Sequence, residues 1–160
     1  MKPAGEPVGQ RRRIVHGIDL AAVEDAVRSA ERHTTGEIRV AVSRFYFWGD
    51  VRRAAERAFT RLGIDRTRAR NGVLIFVAPL RRRFAILGDQ GIHACVEQGF
   101  WDERARLLAR AFQAGDPTSG LEEAIAAIGE RLAVGFPPGV DGNPNELPDQ
   151  VALDRQRGPR

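Results

Sequence analysis

Glu37, Asp65, Asn71 and Asp89 each stand beside turn residues, in Thr35-Gly36-Glu37, Gly63-Ile64-Asp65, Asn71-Gly72 and Gly88-Asp89-Gln90-Gly91. Carboxylates and amide oxygens are hard donors, and with backbone carbonyls from glycine-rich turns they could hold calcium or magnesium. Glu37, Asn71 and Asp89 are the candidate metal ligands. No EF-hand spacing accompanies them, and each has a structural role open to it. Asp89 can cap the helical turn that follows, Asn71 suits a left-handed turn, and Glu37 can pair with Arg39 or Arg70.

A second group is basic and aromatic: Arg44-Phe45-Tyr46-Phe47-Trp48-Gly49-Asp50 and the turn Leu80-Arg81-Arg82-Arg83. Guanidinium groups beside aromatic rings suit phosphates, bases or an acidic partner. Arg44, Trp48, Asp50, Arg81, Arg82 and Arg83 are therefore the candidate ligand or partner surface. The same residues could instead be a solvated face, with Phe45, Phe47 and Trp48 covering a helix and Asp50 serving as its cap.

Other chemistries lack their signatures. His16, His33 and His93 are isolated from one another and from Cys95, so no zinc spacing occurs. There is no Gly-x-Ser-x-Gly elbow, and Gly88-Asp89-Gln90-Gly91 lacks the Lys-Ser/Thr of a phosphate-binding loop. Cys95, the single cysteine, excludes an internal disulfide and reads as a small buried thiol.

The formal charge is +4. The head to Val15 carries four basic residues and one acidic, and the tail from Phe136 carries three and four, which leaves the body near +2. So mild an excess is a poor basis for gripping a phosphate backbone, and nucleic acid is an unfavoured partner. No apolar run approaches the roughly 18 residues that cross a bilayer, so no membrane insertion is expected. The polar start Met1-Lys2-Pro3 and the Arg11-Arg12-Arg13 cluster lead into no long hydrophobic region, and a cytoplasmic location is expected.

The elements that must position these residues follow from periodicity. Asp19 is a plausible cap for a helix from about Leu20 to Arg32, in which Val23, Ala26, Val27 and Ala30 share a face. Glu37 to Ser43 alternates as a strand. Asp50 can open a helix with Val51, Ala54, Ala55, Ala58 and Leu62 inward, closed by Gly63. The run Val73-Leu74-Ile75-Phe76-Val77-Ala78 is apolar throughout, short, and bounded by turns, as suits a strand covered on both faces. Strand, helix, strand makes the first two strands parallel, and the short link at Pro79–Arg82 folds Arg83–Gly88 back antiparallel. A short turn follows Gly91. Asp102 is expected to open a further helix, and Ser119 the last one, which ends at Phe136-Pro137-Pro138. The expected fold is a single α/β domain, with a mixed sheet of three to four strands sandwiched between helices (α/β/α). By composition, residues 1–17 and 137–160 read as disordered arms around a domain at 18–136.

Several segments together resemble the TPM domain: Thr35-Gly36-Glu37-Ile38-Arg39-Val40, Leu62-Gly63, Arg70-Asn71-Gly72-Val73-Leu74-Ile75, Arg83 through Ile92 with its Gly88-Asp89-Gln90-Gly91 turn, Phe100-Trp101, and Gly120-Leu121-Glu122-Glu123-Ala124-Ile125. The resemblance spans about Ile18 to Phe136 and implies a mixed sheet between helices. It implies membership beside thylakoid-lumen proteins of photosystem II repair, for which acid phosphatase activity has been proposed, and bacterial proteins often encoded beside LemA-type membrane proteins. Some members bind calcium. The Asn71-Gly72 and Gly88–Gly91 turns match the family's Gly-rich loops, and no catalytic residue is mapped by motif. Many relatives carry an export signal, a transmembrane helix and a Gly-rich tail, none of which is read here. The expectation is a non-enzymatic accessory or interaction domain, weakly binding calcium or magnesium and working with a membrane-associated partner of the LemA type. The alternatives are a metal-assisted acid phosphatase-like hydrolase, in which Arg68 and Arg70 neutralise a phosphoryl group, and a weak nucleic-acid-binding protein.

Overall fold

The computed structural model describes residues 13–45, 48–140 and 142–155. Arg11 and Arg12 of the basic cluster, Tyr46 and Phe47 of the aromatic loop, and most of the arm at 1–17 lie outside the described residues, as do 156–160.

Strands β1 (Ile14–Val15) and β2 (Ile18–Asp19) form a small antiparallel pair. His16 at φ 48° and Gly17 at φ 83° supply the two positive angles that so tight a hairpin requires. Part of the arm expected to be disordered is thus a strand. Asp19 then caps α1 (Leu20–Glu31) by accepting from the Ala22 N–H at 3.2 Å, and Leu20, Val23 and Val27 are buried along its inner face. Strand β3 (Glu37–Ser43) follows. Asp50 caps α2 (Val51–Arg61) through the Arg53 N–H, and Gly63 at φ 73° ends it as the sequence suggests.

Strand β4 (Gly72–Ala78) is buried at every position. It runs parallel to β3, with Ile38 opposite Val73, and antiparallel to β5 (Arg83–Gly88), with Ile75 opposite Ile86. Successive residues point to opposite faces. Ile38, Val40, Val42, Val73, Ile75 and Val77 therefore join one core cluster with α1, α4 (Gln98–Gln113) and α5 (Pro117–Gly135). Ala41, Leu74 and Phe76 join a second cluster with α2. The layers are α/β/α, as the doubly apolar β4 requires.

Two helix starts differ from expectation. After the short α3 (Gln90–His93), α4 begins at Gln98, and Asp102 sits within it, accepting from the Gln98 side-chain amide at 3.0 Å. Asp102 thus supports the first turn from inside rather than capping it. Helix α5 begins at Pro117 because Asp116 takes the cap, accepting from the Ser119 N–H that a Ser119 cap would have left behind.

The largest departure concerns residues 137–160, which read as disordered from their Pro, Gly and charge content. Ala152–Asp154 form β6, parallel to β3 with Val42 opposite Leu153, so the sheet order is β5-β4-β3-β6. Leu147 and Val151 enter the two cores. Hydrogen bonds from Asn143 and from the backbone of Glu146 and Val151 anchor the segment, and no local pattern could reveal them.

Candidate functional site

Pairing fixes what meets at one rim of the sheet. Glu37 opens β3 opposite Gly72, while Val73 stands opposite Gly88, so Glu37, Asn71 and Asp89 lie at the same end. The Glu37 N–H donates to the Asn71 carbonyl at 3.2 Å, and the Asp89 N–H to the Gly72 carbonyl at 3.0 Å. All three residues are buried.

Their side chains serve separate networks. Asp89 accepts from Arg70 Nε (2.8 Å) and Nη2 (3.2 Å), a two-pronged ion pair, and caps α3 by accepting from the Gln90 N–H at 2.8 Å. That carboxylate raises the pKa of Arg70 further above its ordinary value. Asn71 donates from Nδ2 to the Thr35 carbonyl and accepts from the Thr67 hydroxyl at Oδ1. The left-handed residue of this turn is Arg70 (φ 51°), one position before the Asn71 expected there. Asp65 keeps Oδ1 buried without a partner.

The Arg70 turn is also held by a close backbone approach. Gly91 donates its N–H to the Arg70 carbonyl at 2.9 Å, and a Cβ there would lie 2.5 Å from the Ala69 carbonyl oxygen and 2.7 Å from that of Arg70. Gly91→Ala is expected to destabilise the fold by about 2 kcal/mol in denaturant titration, since backbone on both sides must move. An unchanged midpoint would show that the turn yields freely.

Glu37 is a further side chain at this rim with an unmet requirement. Its Oε1 accepts from the Glu146 N–H at 2.7 Å, while Oε2 is buried and meets no standing donor. Burial raises its pKa to about 7, with the nearby Glu146 charge adding to the effect. Glu31 lies beside it, accepting from the Ile38 N–H at 2.8 Å. Burial, followed by a hydrogen bond to Asp149, raises the Glu31 pKa to about 9. Glu31 thus keeps its proton at neutral pH and directs it toward Asp149. Arg39, half-buried next to them, has Nε without a partner, and burial lowers its pKa.

Glu31, Glu146 and Asp149 were not singled out by sequence reasoning. The signal for Glu31 was present: Leu20, Glu24, Val27 and Glu31 recur at 4, 3 and 4 residues, which puts two carboxylates on the inward stripe of α1. Both are buried, and both are met by the 142–155 segment. The Val151 N–H donates to Glu24 Oε1 at 3.0 Å, and Asn143 Nδ2 faces the carbonyls of Glu31, Thr34 and Gly36 at 3.2, 2.8 and 2.9 Å. Among the described residues no three His, Cys, Asp or Glu side chains form a ready-made metal cage. The cluster is instead closed by protons and amide groups. A cleft of about 530 Å³ lined by Thr35, Arg68, Asn71 and Glu146 opens beside it.

The opposite rim carries the basic group. Arg81 donates to the Gly49 carbonyl at 2.6 Å, tying the two loops together. Arg82 (φ 52°) and Arg83 are exposed at the β4–β5 turn, and Trp48 is 71% exposed. Asp50 is occupied as the α2 cap. Arg44 donates its N–H to the Asp154 carbonyl and accepts at its own carbonyl from His16 Nε2. Among the described residues no helix is long and apolar enough to cross a membrane.

Curated proteins gave no match to this chain. Among solved structures, the NMR structure of BA42 protein from the psychrophilic bacterium Bizionia argentinensis is similar, with 37% identity and a TM-score of 0.77 over 84% of this chain and 92% of that one. The N-terminal domain of cg2496 protein from Corynebacterium glutamicum shares the fold alone, at 17% identity and a TM-score of 0.50 over 80% and 84% of the two chains. The family model described as the TPM domain matches residues 14–131, which takes in β3, β4, β5 and α1 through most of α5. With that match, the residues shared with BA42 and a sheet whose parallel and antiparallel pairings follow the expected order, this chain belongs to the TPM domain family.

Proposed function

We propose that this chain is a non-enzymatic accessory domain that takes up a divalent cation, calcium or magnesium, at the carboxylate rim in exchange for protons. The observation that carries the reading is Glu37 Oε2, buried and without a standing donor beside Glu31. A cation satisfies that oxygen and offsets the burial that now holds the Glu31 proton in place. Glu37 and Glu31 are the paired side-chain ligands in this reading, and water and backbone carbonyls fill the remaining positions, since among the described residues no third such side chain joins them. Asp89 and Asn71 support the rim from their own contacts. The accessory role, with a membrane-associated partner of the LemA type, rests on the family alone.

Calcium and magnesium titrations of the full chain, followed by NMR and calorimetry near pH 7, test the reading. The expected result is movement of the Glu37 and Asp149 amide signals at about 10 mM ion or below, with proton release seen as a buffer-dependent enthalpy and lost in Glu37→Gln. Unmoved signals at that concentration would remove the cation from the proposal.

Metal-assisted phosphate-ester hydrolysis is the second reading, favoured by Arg68 lining the cleft next to Glu146. Turnover of a generic aryl phosphate that survives repurification and is absent in Glu37→Gln would replace the accessory reading with this one. Equal turnover in the variant would mark a contaminant.

A further inference from the structure

Strand β5 is an outer strand of the sheet, and its outer side is the floor of a groove. The groove has a volume of about 370 Å³ and runs between α2, which contributes Phe59, and α4, which contributes Trp101, with Ile86, Leu87 and Gly88 beneath. The Asp89 N–H bonds to Gly72, so by antiparallel alternation Leu87, Ala85 and Arg83 face β4 while Phe84, Ile86 and Gly88 direct their backbone groups outward. Sheet edges are normally blunted by Lys, Pro or a bulge. From Phe84 to Gly88 this one carries none of them, and every residue is apolar.

We infer that this edge binds an extended peptide segment of another protein, added antiparallel to β5 and acidic toward its C-terminal end. Polarity follows from charge. An antiparallel strand brings its C-terminal end to the start of β5, where Arg83 and Arg82 stand exposed and where Arg52, in the first turn of α2, reaches the groove. The carboxylates at this end are Glu56, 3.5 Å from Arg52, and Asp50, engaged as a helix cap, so the balance stays positive. The far end offers His93 and Gln98. An extended chain can lie here, with alternate side chains toward Phe59 and Trp101 and its backbone paired to Ile86 and Gly88. A second copy of the sheet is blocked, because its own β5 is flanked by the same two helices. Phe84, stacked on Phe112 of α4 with ring centroids 6.0 Å apart, holds the floor in place.

The test titrates the full isotope-labelled chain with a synthetic peptide of alternating valine and threonine ending in two aspartates, and with a counterpart ending in two lysines. Both titrations are run with calcium and with chelator, so that an outcome at the carboxylate rim is read separately. The expected result is movement of the Phe84, Ile86 and Gly88 amide signals, with affinity for the aspartate-ended peptide about tenfold higher. Methylating the peptide's inward backbone nitrogens abolishes binding, and the double variant Arg52→Glu with Arg83→Glu reverses the preference. Equal affinity for the two ends, binding that survives methylation, or signals that move only elsewhere would overturn the inference. So would a dimer of the unliganded chain in solution paired through the same three residues.

Discussion

Raising the pH from about 5 to about 9 is expected to lower the melting temperature by on the order of 10 °C, the reverse of the usual behaviour of structural carboxylates. Glu31 and Glu37 have folded-state pKa values raised to about 9 and about 7 from 4.5, chiefly by burial. The folded chain therefore binds protons that the unfolded chain has already released above about pH 4.5. Stability from this source is complete below that pH and is lost as the pH climbs through 7 for Glu37 and 9 for Glu31. Glu31→Gln keeps an acceptor for the Ile38 N–H and a donor toward Asp149 without a titrating proton. The variant is expected to melt near the native temperature at pH 5, above it at pH 9, and to have lost most of the slope. Thermal melts across the range decide the matter. A native chain that becomes more stable toward pH 9 in the absence of divalent ions would mean that the carboxyl groups are ionised and solvated after all.

Removal of residues 140–160 is expected to cost on the order of 5 kcal/mol, a large share of a typical domain's stability. Leu147 and Val151 leave the two cores, worth about 2 kcal/mol each by area, and Glu24 and Glu37 lose the Val151 and Glu146 N–H donors. Asp154, nearly buried and paired with Arg61 at 2.6 Å, goes with them. Asn143→Ala isolates the polar part, because its amide faces three carbonyls between α1 and β3, and it is expected to lower stability by about 2 kcal/mol. Urea unfolding followed by circular dichroism measures both. A truncated chain that unfolds within about 0.5 kcal/mol of the full one would show that the segment only rests on the surface.

How far the sequence could be read depended on the distance over which each residue is specified. Strand β4 was legible because six apolar residues in a row can be satisfied only by covering both faces, and its pairings followed from one crossover and one short turn. Asp19 and Asp50 were legible as caps because a cap acts within three residues. Asp102 misled for the same reason, since a cap and an i,i+4 partner are the same residue type seen from different starting points. The Glu37, Asn71 and Asp89 rim was legible as a place, through strand direction, but not as a set of contacts. Arg70 takes Asp89 from 19 positions away, and Glu37 takes its donor from 109 positions away. Strand β6 escaped because three residues beside a Pro- and Asn-rich stretch carry almost no periodicity, and their parallel partner β3 lies far back in the chain, beyond two other strands and four helices.

Strand β6 has a consequence for how copies of the chain meet. It seals the outer flank of β3 with a register of three residue pairs, reached through irregular backbone. Its release costs the Asn143, Glu146 and Val151 contacts yet leaves β3 paired with β4, so under mildly destabilising conditions it bares a strand flank that accepts the β6 of any identical molecule as readily as its own. Concentrated preparations would then exchange these segments reciprocally, giving domain-swapped dimers whose subunits keep the native pairing and the native carboxylate rim.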